Sequence, residues 1–232
     1  MSDKVKTHAE TNPQRLALLA KVNSGSFAWH TVSLAGGATV EVSLPVKVDG
    51  VFLPVMAAEQ KKVAGAVAAV PLTRAVADRA FEDATAAGTF VPFQGQYPHM
   101  FDYDRFTKFL DGTAYGGSPQ PWAFGAHKLW LLSRFSNKGA VNYGFFGPGV
   151  DGNGKPDNRP ATGHPNLTTH VHIQQDLGGR HDAAHWDYSQ LLQLMRNLKD
   201  AAGGPLDLRA ELLAGNPAVW DESSKPQATD LP

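Results

Sequence analysis

The chain has 232 residues, enough for one large domain with a substantial core or for two small ones. Its formal net charge of -1 offers no basic field for nucleic acid, and no apolar run approaches a bilayer span, so neither nucleic acid nor a membrane is an expected partner. There is no cysteine, which removes disulfides, thiolate catalysis and iron–sulfur chemistry and leaves any metal to histidine and carboxylate.

The N-terminal residues Met1-Ser-Asp-Lys-Val-Lys6 lack the apolar stretch of a secretory signal. That points to the cytoplasm, with unconventional export left open. Residues 1–24 read as a loose tail with a short helix over Gln14–Lys21. A single α+β domain is expected over 25–215, followed by a polar C-terminal tail over 216–232. Its architecture is expected to be an antiparallel sheet with helices packed on one side and a loop-rich cleft.

Phe27–Leu34 and Ala38–Leu44 alternate apolar and polar residues around Gly36-Gly37, which predicts a hairpin. Val46–Val48 and Val51–Leu53 flank Asp49-Gly50, a pair suited to a tight primed turn, and predict a second hairpin. Apolar residues then recur with helical period from Val55 to Val70, and Pro71 ends that helix. Thr73 is placed to cap a further helix over Arg74–Ala86, with Val76, Ala77, Ala80, Phe81 and Ala84 inward.

Residues 90–125 are rich in proline, glycine and aromatic side chains, and are expected to be loop that walls a cleft. His127–Phe146 reads as a hairpin turning at Ser136–Gly139, and Leu167–Gln175 as another strand. The loop Asp151–Asp157 bears a faint likeness to a calcium loop, but lacks the flanking helices and the terminal glutamate. Tyr188–Ala202 reads as a helix buried through Leu191, Leu192, Met195 and Leu198, and Leu206–Leu213 as a short final one.

Five of the nine histidines fall between His164 and His185, with Asp176, Asp182 and Asp187 among them. So many imidazoles in one short span point to proton transfer or to metal binding. His181 follows a Gly-Gly turn and precedes Asp187 by six residues, so it is the candidate general base with Asp187 to orient it. Asp187 and Gln190 also have capping-box spacing, and a cap can orient a nearby imidazole as well. Ser189 lacks the glycine neighbours of a nucleophile elbow and is a weaker catalytic candidate. His127 is a second proton-transfer candidate. Lys128 is an anion- or oxyanion-binding one. Trp130, Trp186 and Tyr188 are candidate substrate contacts.

A metal reading competes with this one. On a strand His170 and His172 share a face, and together with His181 or His185 they would supply a zinc site. His181 and His185 have zincin spacing with Asp182 in place of glutamate, which requires that stretch to be helical.

The segment Gly125-Ala-His-Lys128, the strand pair ending near Tyr143-Gly-Phe145, the spaced histidine and Asp187-Tyr-Ser189 resemble an uncharacterised bacterial protein family. Pro71-Leu-Thr73 and the helix after it are similar as well, so the resemblance spans 52–198. It implies a site at His127, Lys128, His181, Asp187, Tyr188 and Ser189, and carries no established activity. The chain departs from that pattern at Gln190, where the family has histidine, and adds His164, His170, His172 and His185.

Together these features favour a hydrolase of amide, ester or glycan-type bonds, acting on a small-molecule or polymer substrate without a required cofactor. A His-rich zinc protein or metallohydrolase is the first alternative. A carbohydrate or cell-wall binding module, built on the aromatic supply, is the second. A homodimer is left open.

Overall fold

The computed structural model describes residues 13–87, 90–91, 124–125, 128–134, 139–146, 170–174 and 191–232. Within them the chain is α+β, with antiparallel sheets and four α-helices. The helices are α1 (Pro13–Lys21), α2 (Ala57–Ala66), α3 (Arg74–Ala86) and α4 (Leu208–Ala214).

The first sheet is built on the first predicted hairpin. Strands β1 (Trp29–Ser33) and β2 (Thr39–Ser43) pair antiparallel, with Val32 opposite Val40. The chain reverses between them through Gly36 and Gly37, at φ 75° and 83°. The second hairpin, β3 (Lys47–Val48) with β4 (Val51–Phe52), turns at Asp49-Gly50. Both of those residues have positive φ, 52° and 79°, as a primed turn requires.

After α2 the chain forms β5 (Val70–Pro71), then α3. Thr73 caps α3 as expected, its Oγ1 accepting from Val76 N at 3.3 Å. The five residues expected to face inward are all buried. Strands β6 (Phe90–Val91) and β7 (Phe124–Gly125) pair in parallel; the segment between them lies outside the described residues.

Strands β8 (Lys128–Leu132), β9 (Ala140–Phe146) and β10 (His170–Gln174) form a second antiparallel sheet in the order β10-β9-β8. Its β8 edge meets the chain leaving β5, where Leu132 N donates to Leu72 O at 2.8 Å.

The segment expected as a helix over Tyr188–Ala202 contains a strand instead. β11 (Leu194–Lys199) lies between β2 and β5 and completes a four-stranded sheet, β1-β2-β11-β5. The apolar residues that imitate a helical period serve two faces of this inner strand. Leu192 and Leu194 enter one apolar cluster with Val46, Val48, Leu53, Val55 and Ala64. Met195 and Leu198 enter the other, with Val32, Val40, Val42 and the inward residues of α3. Residues 191 to 195 are all fully buried, and a short buried apolar run is one that periodicity alone does not separate from a helix. A register shift between Arg196 and Lys199, with Asn197 at φ 51°, produces the irregular spacing.

The helices divide between the clusters. Residues of α3 and α4 join the first-named strands' Val-rich cluster, and residues of α1 and α2 join the other. The C-terminal segment expected as a tail also enters the core: Val219, Trp220 and Leu231 are buried.

Candidate functional site

The second sheet carries the candidate residues that fall within the described structure. Lys128 stands opposite Gly144 in the β8–β9 register, and Gly144 stands opposite His172 in the β9–β10 register. Lys128, Gly144 and His172 therefore occupy one row across three strands. His127 immediately precedes Lys128, just outside the described residues. His170 and His172 lie two positions apart on β10, so the strand's two-residue repeat puts both positions on one face.

Trp130, two residues along β8 from Lys128, belongs to the interior. It is 1% exposed, and its indole N–H donates to Val55 O at 3.0 Å. His181, His185, Trp186, Asp187, Tyr188 and Ser189 lie outside the described residues. With β11 in place of a helix, the run that Asp187 would cap is absent over 194–199. No group of three or more metal-ligating side chains occurs among the described residues.

Beyond Leu132 the same strand leads into a polar cluster that the sequence did not suggest. Glu222 accepts from Ser133 Oγ at 2.5 Å and from Arg134 N at 2.7 Å. Burial pushes the Glu222 carboxyl above its ordinary value, outweighing the hydrogen bonds from Ser133 and Arg134 that favour the charged form. Arg134 also reaches Asp230 at 3.2 Å, and Arg74 pairs with Asp221 at 2.8 Å. Residues from 221 to 230 are thereby tied to the end of β8 and the start of α3.

No family model, curated protein or solved structure matches this chain. Its chemistry rests on its own residues.

Two further arrangements escaped the sequence reading. His30 on β1 meets Asp83 on α3, with Nε2 and Oδ2 2.8 Å apart and both side chains partly exposed. Arg15 on α1 is fully buried and makes a two-pronged ion pair with Glu59, at 2.8 and 2.9 Å. The partners are 53 residues apart in the first pair and 44 in the second. No local motif links such residues; only the packing of α3 on β1 and of α1 on α2 joins them.

Proposed function

We propose that the chain is a hydrolase of amide, ester or glycan-type bonds, with its site on the β8–β9–β10 sheet. The row Lys128–Gly144–His172 is the observation that carries this reading. Adjacent strands lie about 4.8 Å apart, so the two outer backbones of the row stand about 10 Å from each other. The residue between them has no side chain, and a substrate can approach the backbone there.

In this reading His181 is the general base, oriented by Asp187, and His127 is the second proton-transfer group. Lys128 binds an anionic group or the oxyanion that develops in the transition state. β10 ends at Gln174, and the chain from there to residue 181 spans at most about 25 Å, a length that lets His181 return to the row.

The test is a panel of fluorogenic amide, ester and glycoside substrates, followed by variants with circular dichroism as the folding control. His181→Ala is expected to reduce kcat about 100-fold or more, the scale of a lost general base. Lys128→Ala is expected to weaken turnover while the fold stays intact. Full activity in His181→Ala would sink the assignment.

The strand geometry of His170 and His172 also supports a zinc reading, because it supplies two ligand positions on one face. Elemental analysis of the same preparation before and after a chelator separates the two. About one zinc per chain, lost in a His170→Ala/His172→Ala variant, would make these histidines ligands.

A further inference from the structure

The four-stranded sheet β1-β2-β11-β5 has two edges, and they end differently. At β5 the chain continues against β8, where Leu132 N donates to Leu72 O at 2.8 Å. At β1 the order stops.

The register shows which backbone groups of β1 face outward. Leu44 N donates to Ala28 O and Leu34 N to Ala38 O, both at 2.8 Å, at the two ends of a β1–β2 pairing with no shift between them. In an antiparallel pair the bonded positions alternate, so Ala28, His30, Val32 and Leu34 exchange bonds with the β2 side. Trp29, Thr31 and Ser33 turn their N–H and C=O groups the other way. Arg79 marks that direction, since its Nε comes from α3 to donate to Ser33 O at 3.2 Å. Among the described residues nothing bonds to the outward groups of Trp29 and Thr31. Thr31 and Ser33 are exposed, so water reaches this edge.

Edge strands are commonly blunted by a lysine, a proline or a bulge. Trp29-His-Thr-Val-Ser33 has none of these. Its row of open donors and acceptors is a template for another strand.

We propose that a second copy of this chain occupies the edge, β1 pairing antiparallel with β1 about a two-fold axis at Thr31. Thr31 then faces Thr31 of the second copy, and Trp29 faces its Ser33, each pair exchanging N–H···O bonds. The charges favour this occupant. Arg79 is tethered at Ser33, while Asp83 holds His30 at 2.8 Å, next to Trp29. Setting Ser33 of one copy against Trp29 of the other brings Arg79 of the first beside Asp83 of the second, and the two-fold repeats the contact. The Arg79 and Asp83 side chains are 45% and 40% exposed, so both are open to that approach. Two threonines opposite each other on the axis also form a favoured cross-strand pair. The proposal uses none of the residues of the hydrolase reading.

Sedimentation of the full chain over a concentration series, with amide hydrogen exchange at both ends of the series, tests this. The expected result is a reversible monomer–dimer equilibrium in which the Trp29, Thr31 and Ser33 amides gain protection as the dimer forms. Thr31→Pro removes an N–H that β2 does not use, so the β1–β2 ladder is kept. It is expected to weaken association about ten-fold or more, because each copy loses a bond on the axis. Thr31→Lys and Thr31→Glu each put like charges on the axis and are expected to be monomeric alone, while their equimolar mixture dimerises again. A chain that stays monomeric at every concentration would overturn the proposal and leave the edge to a different partner. So would a dimer that Thr31→Pro leaves unchanged, or one that forms without protecting those three amides.

Discussion

Arg15 shows what a single buried charge does to this fold. Its guanidinium is wholly removed from water and matched by Glu59, while Nη1 also donates to Pro54 O at 3.2 Å. Removing one partner of such a pair leaves the other charge buried and uncompensated. Arg15→Ala is therefore expected to lose about 3–5 kcal/mol in urea unfolding. A double variant, Arg15→Met with Glu59→Leu, should recover most of that loss, because apolar replacement of both partners removes the desolvation penalty. Glu222 is the opposite case, a carboxyl whose protonated form the fold favours. Its folded value lies above the unfolded one, so the folded state binds more protons between the two. Stability from this group is full below about pH 4.5 and declines as pH rises through the raised value. Glu222→Gln cannot titrate. The stability gap between wild type and Glu222→Gln, measured by urea unfolding from pH 4 to pH 8, should shift against wild type as pH rises. A gap that does not change with pH would show that burial does not perturb this group.

Among the elements, β11 is the one that decides the first sheet. It is held to β2 by side chains as well as by the ladder. Ser43 is fully buried; its Oγ accepts from Leu194 N at 2.9 Å, and its carbonyl accepts from Gln193 Nε2 at 2.8 Å. Glu41 on β2 accepts from Arg196 Nε at 2.7 Å and from Asn197 Nδ2 at 3.0 Å. Arg196 also lies over the Trp29 ring, 4.1 Å from its centroid, so β1 is joined to the same contact. Ser43→Ala removes the hydroxyl and leaves Leu194 N–H buried without that acceptor. A loss of about 1–3 kcal/mol is expected in equilibrium unfolding. Ser43→Thr, which keeps the hydroxyl, should lose less if its added methyl is accommodated. By contrast, the two N-terminal hairpins and α3 follow from short-range chemistry. Asp49-Gly50 supplies the turn and Thr73 supplies the cap, and both act within a few residues.

At the scale of the whole molecule, the C-terminal segment behaves as part of the core. Trp220 is 3% exposed, with its indole N–H donating to Ser224 O at 3.1 Å. Thr73 Oγ1 donates to Val219 O at 2.7 Å, so the residue that caps α3 also anchors this segment. Trp220→Ala is expected to destabilise the protein by about 3–5 kcal/mol, as large-to-small core changes do. A thermal or chemical midpoint equal to wild type would show that the segment packs without supporting the fold. No helix among the described residues is long and apolar enough to cross a membrane.

The α+β class, the three hairpins, α3 with its cap and the short α4 are legible in the chain alone, because each depends on residues close together in it. The sequence also singled out Lys128, His170 and His172 and put the two histidines on one strand face, although not in a row with Lys128. Tertiary structure decided what depends on distant partners. The run 191–199 became an inner strand because β2 and β5 were both available to it, and its two faces met two apolar clusters. The polar ending became core because Ser133, Arg134 and Thr73 supply partners about 90 to 150 residues away. Lys128 and His172 came into one row only through β9, whose register no local pattern encodes.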